Sequence, residues 1–314
     1  MKVCKFGGSS LANAAQFKKI KDILQQDPSR HVVVVSALGK DDVSGHKITD
    51  LLYLSHAHLQ YGVNFDGIFE EIEQRYVGMQ EALHLDIDIK SYFKDLKLSL
   101  NKQTEVDFLV SKGETLSAML LAKTLGYTFV DAKDVICLNF DGSLDSEMTY
   151  EKIRSSYQQH PKLVIPGFYG AYPNGKIKVL PRGGSDITGA LCAAALNAEV
   201  YENWTDVSGI LMADPRIVAQ AKSIQQLTFA ELREMAFMGA SVLHEESIQP
   251  VKVKNIPVNI RNTNEPNHPG TMIVNSIEHE QDPDRFITGI TGLQDFTVIS
   301  IVKEQIAKHP SDFR

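Results

Sequence analysis

The stretch Val3-Cys4-Lys5-Phe6-Gly7-Gly8-Ser9-Ser10 sets an apolar run directly against a glycine pair and two hydroxyls. Residues 3–6 read as a strand, and the spacing Phe17, Ile20, Ile23, Leu24 behind it is that of an amphipathic helix. A second strand over 32–36 completes one βαβ unit. At the strand-to-helix junction the two glycines leave no Cβ between backbone and ligand. N–H groups there can approach anionic oxygens while Lys5 adds a full charge. The pattern is not the Walker A loop, which sets Gly-Lys-Ser/Thr after a longer glycine run. Taken alone, the stretch also fits a tight turn beside a surface lysine.

Working outward, the second strand ends in Ser36-Ala37-Leu38-Gly39, a hydroxyl and small residues at the strand end where an open α/β sheet meets its ligand. Residues 48–100 are helical in pattern with charged faces, and 104–125 form another long helical stretch. Strands are expected over 127–130 and 163–168, with Pro173-Asn174-Gly175 turning a hairpin from Phe168-Tyr169 into Ile177-Lys178-Val179. An alanine-rich helix over 187–196 leads to a strand near Val200-Tyr201, where a second βαβ-like half begins. This alternation predicts an α/β fold with a mostly parallel central sheet flanked by helices.

Composition narrows the function. With 43% hydrophobic residues among 314, the chain can bury one large core or two smaller ones. A net charge of −7 with scattered lysines argues against a nucleic-acid surface, so an anionic ligand needs local positive charge. The N-terminus has no charged-then-apolar signal pattern, and the longest apolar runs, such as 32–35, are far too short to span a bilayer. A cytoplasmic protein without membrane partners is expected. Cys4, Cys137 and Cys192 are too widely spaced for a disulfide framework or a Cys-x-x-Cys site and read as small apolar residues. His56 and His58 lie near Asp50, but zinc needs further ligands in a defined arrangement, and solvated helix positions account for them. No metal site built by the protein alone is expected. The polar segment 275–285, with Asp282-Pro283-Asp284, reads as a linker to a strand over 297–302.

Three further clusters carry chemistry. In Val110-Ser111-Lys112-Gly113-Glu114-Thr115-Leu116, Glu114 could bind an ammonium group, or be a solvated glutamate at a helix start. In Pro181-Arg182-Gly183-Gly184-Ser185-Asp186, Arg182 offers a planar fork for a carboxylate and the glycine pair opens the backbone. Helix capping explains Ser185 or Asp186, but not the glycine pair with an arginine before it. The third cluster runs Glu202-Asn203-Trp204-Thr205-Asp206-Val207-Ser208-Gly209-Ile210, with Asp214-Pro215-Arg216 behind it. Its polar residues could frame a nucleotide, and turn chemistry would select several of them too.

In this order and spacing the clusters resemble the aspartate kinases of the amino-acid kinase family. The resemblance covers residues 1–275 and includes Gly-Ala-Ser-Val-Leu-His, residues 239–244. It implies a carbamate kinase-like fold of two lobes, an N-terminal one for aspartate and a C-terminal one for ATP. It also implies transfer of the γ-phosphoryl of ATP to the β-carboxylate of L-aspartate, with Mg²⁺ on the phosphates, and a homodimer. By the same resemblance Lys5 neutralises the transferring group, Gly7, Gly8 and Ser9 supply donors around it, and Asp186 orients Lys5. Ser36, Thr49, Glu114, Arg182 and Ser185 fall to aspartate. Thr205, Asp206, Leu211, Arg216 and Ser241 fall to ATP. Leu211 stands where many members have tyrosine, and Ser241 where a lysine is common. Residues 286–290 and 296–301 resemble the opening of the first ACT regulatory domain before the sequence reaches Arg314. The expected organisation is therefore a catalytic domain 1–275, a linker 276–285 and an incomplete ACT-like segment 286–314 with little feedback inhibition. Kinases of the same fold for glutamate, acetylglutamate or a nucleoside monophosphate, and a non-catalytic amino-acid or nucleotide-binding protein, are the competing readings.

Overall fold

Valine-rich runs buried on both faces make the centre of the sheet, as expected of parallel strands covered by helices on each side. The computed structural model describes residues 1–40, 45–237, 243, 245–277 and 287–292. Its strands are β1 (Lys2–Phe6), β2 (Arg30–Val35), β3 (Thr128–Phe129), β4 (Leu163–Pro166), β5 (Tyr169–Ala171), β6 (Ile177–Val179), β7 (Val200–Thr205), β8 (Gln226–Thr228), β9 (Val258–Asn262) and β10 (Thr271–Val274). Among the described residues eight of them form one sheet in the order β3-β4-β2-β1-β7-β9-β10-β8, and β5 and β6 form a separate hairpin. Every pairing in the large sheet is parallel except β9 with β10.

Alternation along the strands divides the core into two layers. Val3, Val32 and Val34 pack with Ala190, Leu191 and Ala193 of the helix Gly184–Ala195. Cys4, Phe6, Val33, Val35 and Trp204 pack on the other face with Phe17 and Ile20 of the helix Ala14–Gln26 and Leu116 and Leu120 of the helix Lys112–Leu125. Lys5 therefore emerges on the first face, under the helix Gly184–Ala195.

Several elements differ in extent from the pattern-based expectation. The helical region 48–100 is three helices, Ile48–Tyr61, Asp66–Ala82 and Ile89–Ser99, the first ended by Gly62 in the left-handed conformation at φ 68°. The stretch 104–125 breaks at Ser111 into Val106–Val110 and Lys112–Leu125. The alanine-rich helix begins at Gly184, three residues before its apolar run, because Gly183 at φ 79° turns the chain into it. The hairpin stands as expected: Tyr169 pairs with Val179, and Gly175 takes φ 81° in the turn. No helix of the described residues is long and apolar enough to cross a membrane. Of the expected linker and ACT-like segment, residues 278–286 and 293–314 lie outside the described residues. Within 287–292, the Ile290 amide donates to the Met212 carbonyl at 2.7 Å, so this piece lies against the second half of the chain.

Candidate active site

The chain runs from β1 to β2 on one side of the sheet and reaches β7 on the other, so the loops beyond the carboxyl ends of β1, β2 and β7 converge at a topological switch point. Here the opening glycines sit. The Gly7 amide donates to the Trp204 carbonyl at 3.0 Å, and the Gly39 amide to the Gly8 carbonyl at 2.9 Å. A Cβ on Gly39 would lie 2.5 Å from the Gly8 carbonyl carbon and oxygen, so only glycine lets the loop after β2 press on the loop after β1. Ser9 is exposed at the start of the short 3₁₀ helix Gly8–Leu11.

Lys5 is 8% exposed, and its Nζ lies 2.8 Å from Asp186 Oδ1. Asp186 is in the first turn of the helix Gly184–Ala195, where a carboxylate also suits the positive end of the helix dipole. A Cβ on Gly7 would lie 3.6 Å from Lys5 Nζ, so the ammonium and the glycine backbone border the same space. Lys5 and Asp186 are thus brought together. Ser185 is buried with its side chain against Gly167, where a Cβ would come within 2.7 Å of it. Arg182 lies exposed on the loop just before the helix.

On the other side of the loops, Glu114 stands near the start of the helix Lys112–Leu125 and is 4% exposed. It is no solvated helix-start residue. Burial pushes its carboxyl up from the ordinary 4.5 to about 8, against the opposing pull of backbone N–H groups at Ala37 and Glu114 itself. Its Oε2 is buried without a hydrogen-bond partner. An orphaned carboxylate oxygen beside the strand end bearing Ser36 is the arrangement an ammonium group would complete. Ser36 itself continues β2, its amide donating to the Phe6 carbonyl at 3.2 Å, and Thr49 is half-buried in the first turn of the helix Ile48–Tyr61.

The third cluster divides. Glu202 and Trp204 are buried on the face away from Lys5 and have structural partners instead of a nucleotide frame. Glu202 accepts from Arg30 Nε at 2.7 Å and from Trp204 Nε1 at 2.9 Å, and Arg261 lies 3.6 Å away. Alternation along β7 decides this, since it sends residues 202 and 204 to one side and 201, 203 and 205 to the other. Thr205 is half-buried at the strand end and donates to the exposed Asp206 at 3.1 Å. Leu211 is half-buried and bridges to Ser223, while Arg216 is exposed with its guanidinium on Asp214. Ser241 lies outside the described residues. Asn203, to which the sequence assigned no role of its own, is the in-register partner of Lys5 and donates to Asp186 Oδ1 at 2.9 Å. Its position two residues after Tyr201 and two before Thr205 is the signal that places it on the lysine face.

Fold and site together define an α/β protein with a buried cation beside a glycine pair at the carboxyl ends of its central strands. The chain belongs to the amino acid kinase family, whose model matches residues 1–262. Relatives it resembles include aspartokinases. Aspartokinase 3 of Bacillus subtilis (strain 168) is 33% identical over 96% of this chain and 69% of its own length. The solved aspartate kinase of Clostridium acetobutylicum is 46% identical with a TM-score of 0.85, over 92% of this chain and 65% of that one. Escherichia coli aspartokinase III, solved in complex with aspartate and ADP, is 30% identical with a TM-score of 0.77, over 88% of this chain and 65% of that one. The chain thus spans about two thirds of the length of these relatives.

Proposed function

We propose that this chain transfers the γ-phosphoryl group of ATP to the β-carboxylate of L-aspartate, giving 4-phospho-L-aspartate. The observation that carries the reading is the buried Lys5–Asp186 pair beside Gly7 at the switch point of the sheet. A carboxylate is already a nucleophile at neutral pH, so the protein has no strong base to supply. Its work is to place two anions in line and to neutralise the charge that builds between them. Lys5 provides the mobile charge, the amides of Gly8 and Ser9 supply donors, and Asp186 keeps the ammonium aimed at the loop. The orphaned Glu114 oxygen receives the amino group of aspartate, and Arg182 takes a carboxylate with its planar fork. Thr205, Asp206 and Leu211 lie on the nucleotide side, with Arg216 available there if it leaves Asp214.

Magnesium enters with the nucleotide. Among the described residues no group of three or more acidic, His or Cys side chains is arranged to hold a metal, and triphosphate oxygens with water are a normal ligand set for this ion. The same proposal takes residues 1–275 as the catalytic domain, places the chain as a homodimer in the cytoplasm, and puts its product at the head of lysine, threonine, methionine and diaminopimelate synthesis. The test is ATP turnover with L-aspartate, trapping the acyl phosphate with hydroxylamine, and L-glutamate as the comparison. Aspartate-dependent hydroxamate is the expected result. Its absence while both ligands still bind would favour the non-catalytic reading.

A further inference from the structure

We propose that Asn203 is a positioning residue for phosphoryl transfer: with Tyr201 it fixes Asp186 and shares its carboxylate, so that the Lys5 ammonium can turn from Asp186 to the substrate. This rests on the kinase reading above. Asp186 Oδ1 accepts from two donors at once, Lys5 Nζ at 2.8 Å and Asn203 Nδ2 at 2.9 Å. Tyr201, two residues earlier on the same face of β7, donates from its hydroxyl to the Asp186 carbonyl at 3.2 Å. One strand therefore grips both the main chain and the side chain of the residue that aims the lysine.

The grip has little slack. Tyr201 is fully buried, and a Cβ on Gly189, one turn after Asp186, would lie 2.5 Å from its hydroxyl oxygen. Asn203 is 4% exposed, a place where an amide is costly unless hydrogen-bonded and where an apolar side chain would pack at lower cost. Its amide is spent on the carboxylate that holds Lys5. A neutral donor on Asp186 Oδ1 disperses the anion's charge without adding a competing cation, and that weakens the hold of Asp186 on the ammonium. Without Asn203, Asp186 pairs more fully with Lys5 and keeps it from the reacting phosphoryl group.

The groups facing position 203 are Asp186 from the helix, Lys5 from β1 and Tyr201 beside it, so an acid placed there reports on the arrangement. In Asn203→Asp, a proton shared between residues 186 and 203 replaces the lost donor at low pH. Its release as pH rises sets two carboxylates together. This variant is expected to lose kcat with rising pH where the parent does not. Asn203→Leu is expected to lower kcat about tenfold with both KM values within about threefold, the signature of an interaction used in the transition state. Tyr201→Phe should shift kcat in the same direction by less, and with Asn203→Asp it carries the test if Asn203→Leu does not fold.

Parental kcat in these variants, or a loss in Asn203→Asp that does not change with pH, would overturn the inference. A parent that forms no hydroxamate would instead sink the kinase reading. The clamp is then read without turnover, as labelling of Lys5 by limiting acetic anhydride followed by mass spectrometry. Asn203→Leu should label at least about threefold more slowly, since fuller pairing keeps the amine on Asp186 and away from the reagent; an unchanged rate would overturn the inference.

Discussion

At the scale of single residues, two buried ionisable groups divide the chemistry. Lys5 is a cation held near the carboxyl end of the central strand β1 by one carboxylate, and Lys5→Ala should lower kcat at least ~10²-fold, the usual scale for a lost electrostatic stabiliser. Hydroxamate formation measures this, and near-parental turnover would remove Lys5 from the mechanism. Glu114 makes a prediction in pH. In the free protein its carboxyl keeps a proton to about pH 8, yet an ammonium ligand needs the carboxylate. Aspartate binding should therefore release a proton, and KM for aspartate should fall as pH rises from 6 to 8 and then level off. Glu114→Gln should raise KM and abolish that slope, which initial rates across the range would read. Stability has its own sign. The folded chain holds a proton here that the unfolded chain loses above 4.5, so this group makes the free protein less stable as pH rises from 4.5 to about 8. The sequence showed the local grammar of each site residue: glycines after a strand, an arginine before a glycine pair, a glutamate after a glycine. It did not show that Glu114 is buried or that Asn203 reaches Asp186, because both depend on which distant strand lies alongside.

At the scale of elements, the site depends on how closely the helix Gly184–Ala195 approaches β7. Gly189 faces the side chain of Tyr201, and an added Cβ would come within 2.8 Å of three of its atoms, the ring itself being fully buried. Gly189→Ala gains helix propensity of up to about 1 kcal/mol but overpacks the contact, and the net expectation is a loss of about 1–3 kcal/mol in urea unfolding. A stabilised variant would show that the ring yields. Period and turn chemistry made the first half readable, since β1 runs straight into a glycine pair, β2 carries four consecutive valines and the hairpin a clear Asn-Gly turn. The strands β8, β9 and β10 were not legible. β8 is three residues long, too short for a period, and β9 interleaves Asn259 and Arg261 with its apolar residues although it is central and largely buried. What makes them strands is pairing with β7 and with each other, which no local window contains.

At the scale of the whole molecule, the two faces of the central strands do different work. On the face under the helix Gly184–Ala195, β1 and β7 present Lys5 and Asn203 to Asp186. On the opposite face Arg30 of β2, Cys4 of β1, Glu202 and Trp204 of β7 and Arg261 of β9 close one buried cluster. Arg30 and Arg261 both lie over the Trp204 ring, at 5.2 and 4.6 Å from its centre, and Glu202 is the carboxylate between them. Removing that carboxylate leaves the buried Arg30 and the half-buried Arg261 without an opposing charge, with only the Ile23 and Pro266 carbonyls as partners, and burial already pulls Arg261 below its ordinary value. Glu202→Gln should therefore cost about 3–5 kcal/mol of folding stability, the range for breaking a buried charge pair from one side. Because the sheet joins both halves of the chain, the loss should appear as a lower urea midpoint for a single cooperative transition. Turnover by the folded protein should stay close to the parent's, since the lysine face is untouched. A parental midpoint would show that the cluster contributes no net stability, and a collapse of kcat at a parental midpoint would place Glu202 in the chemistry after all.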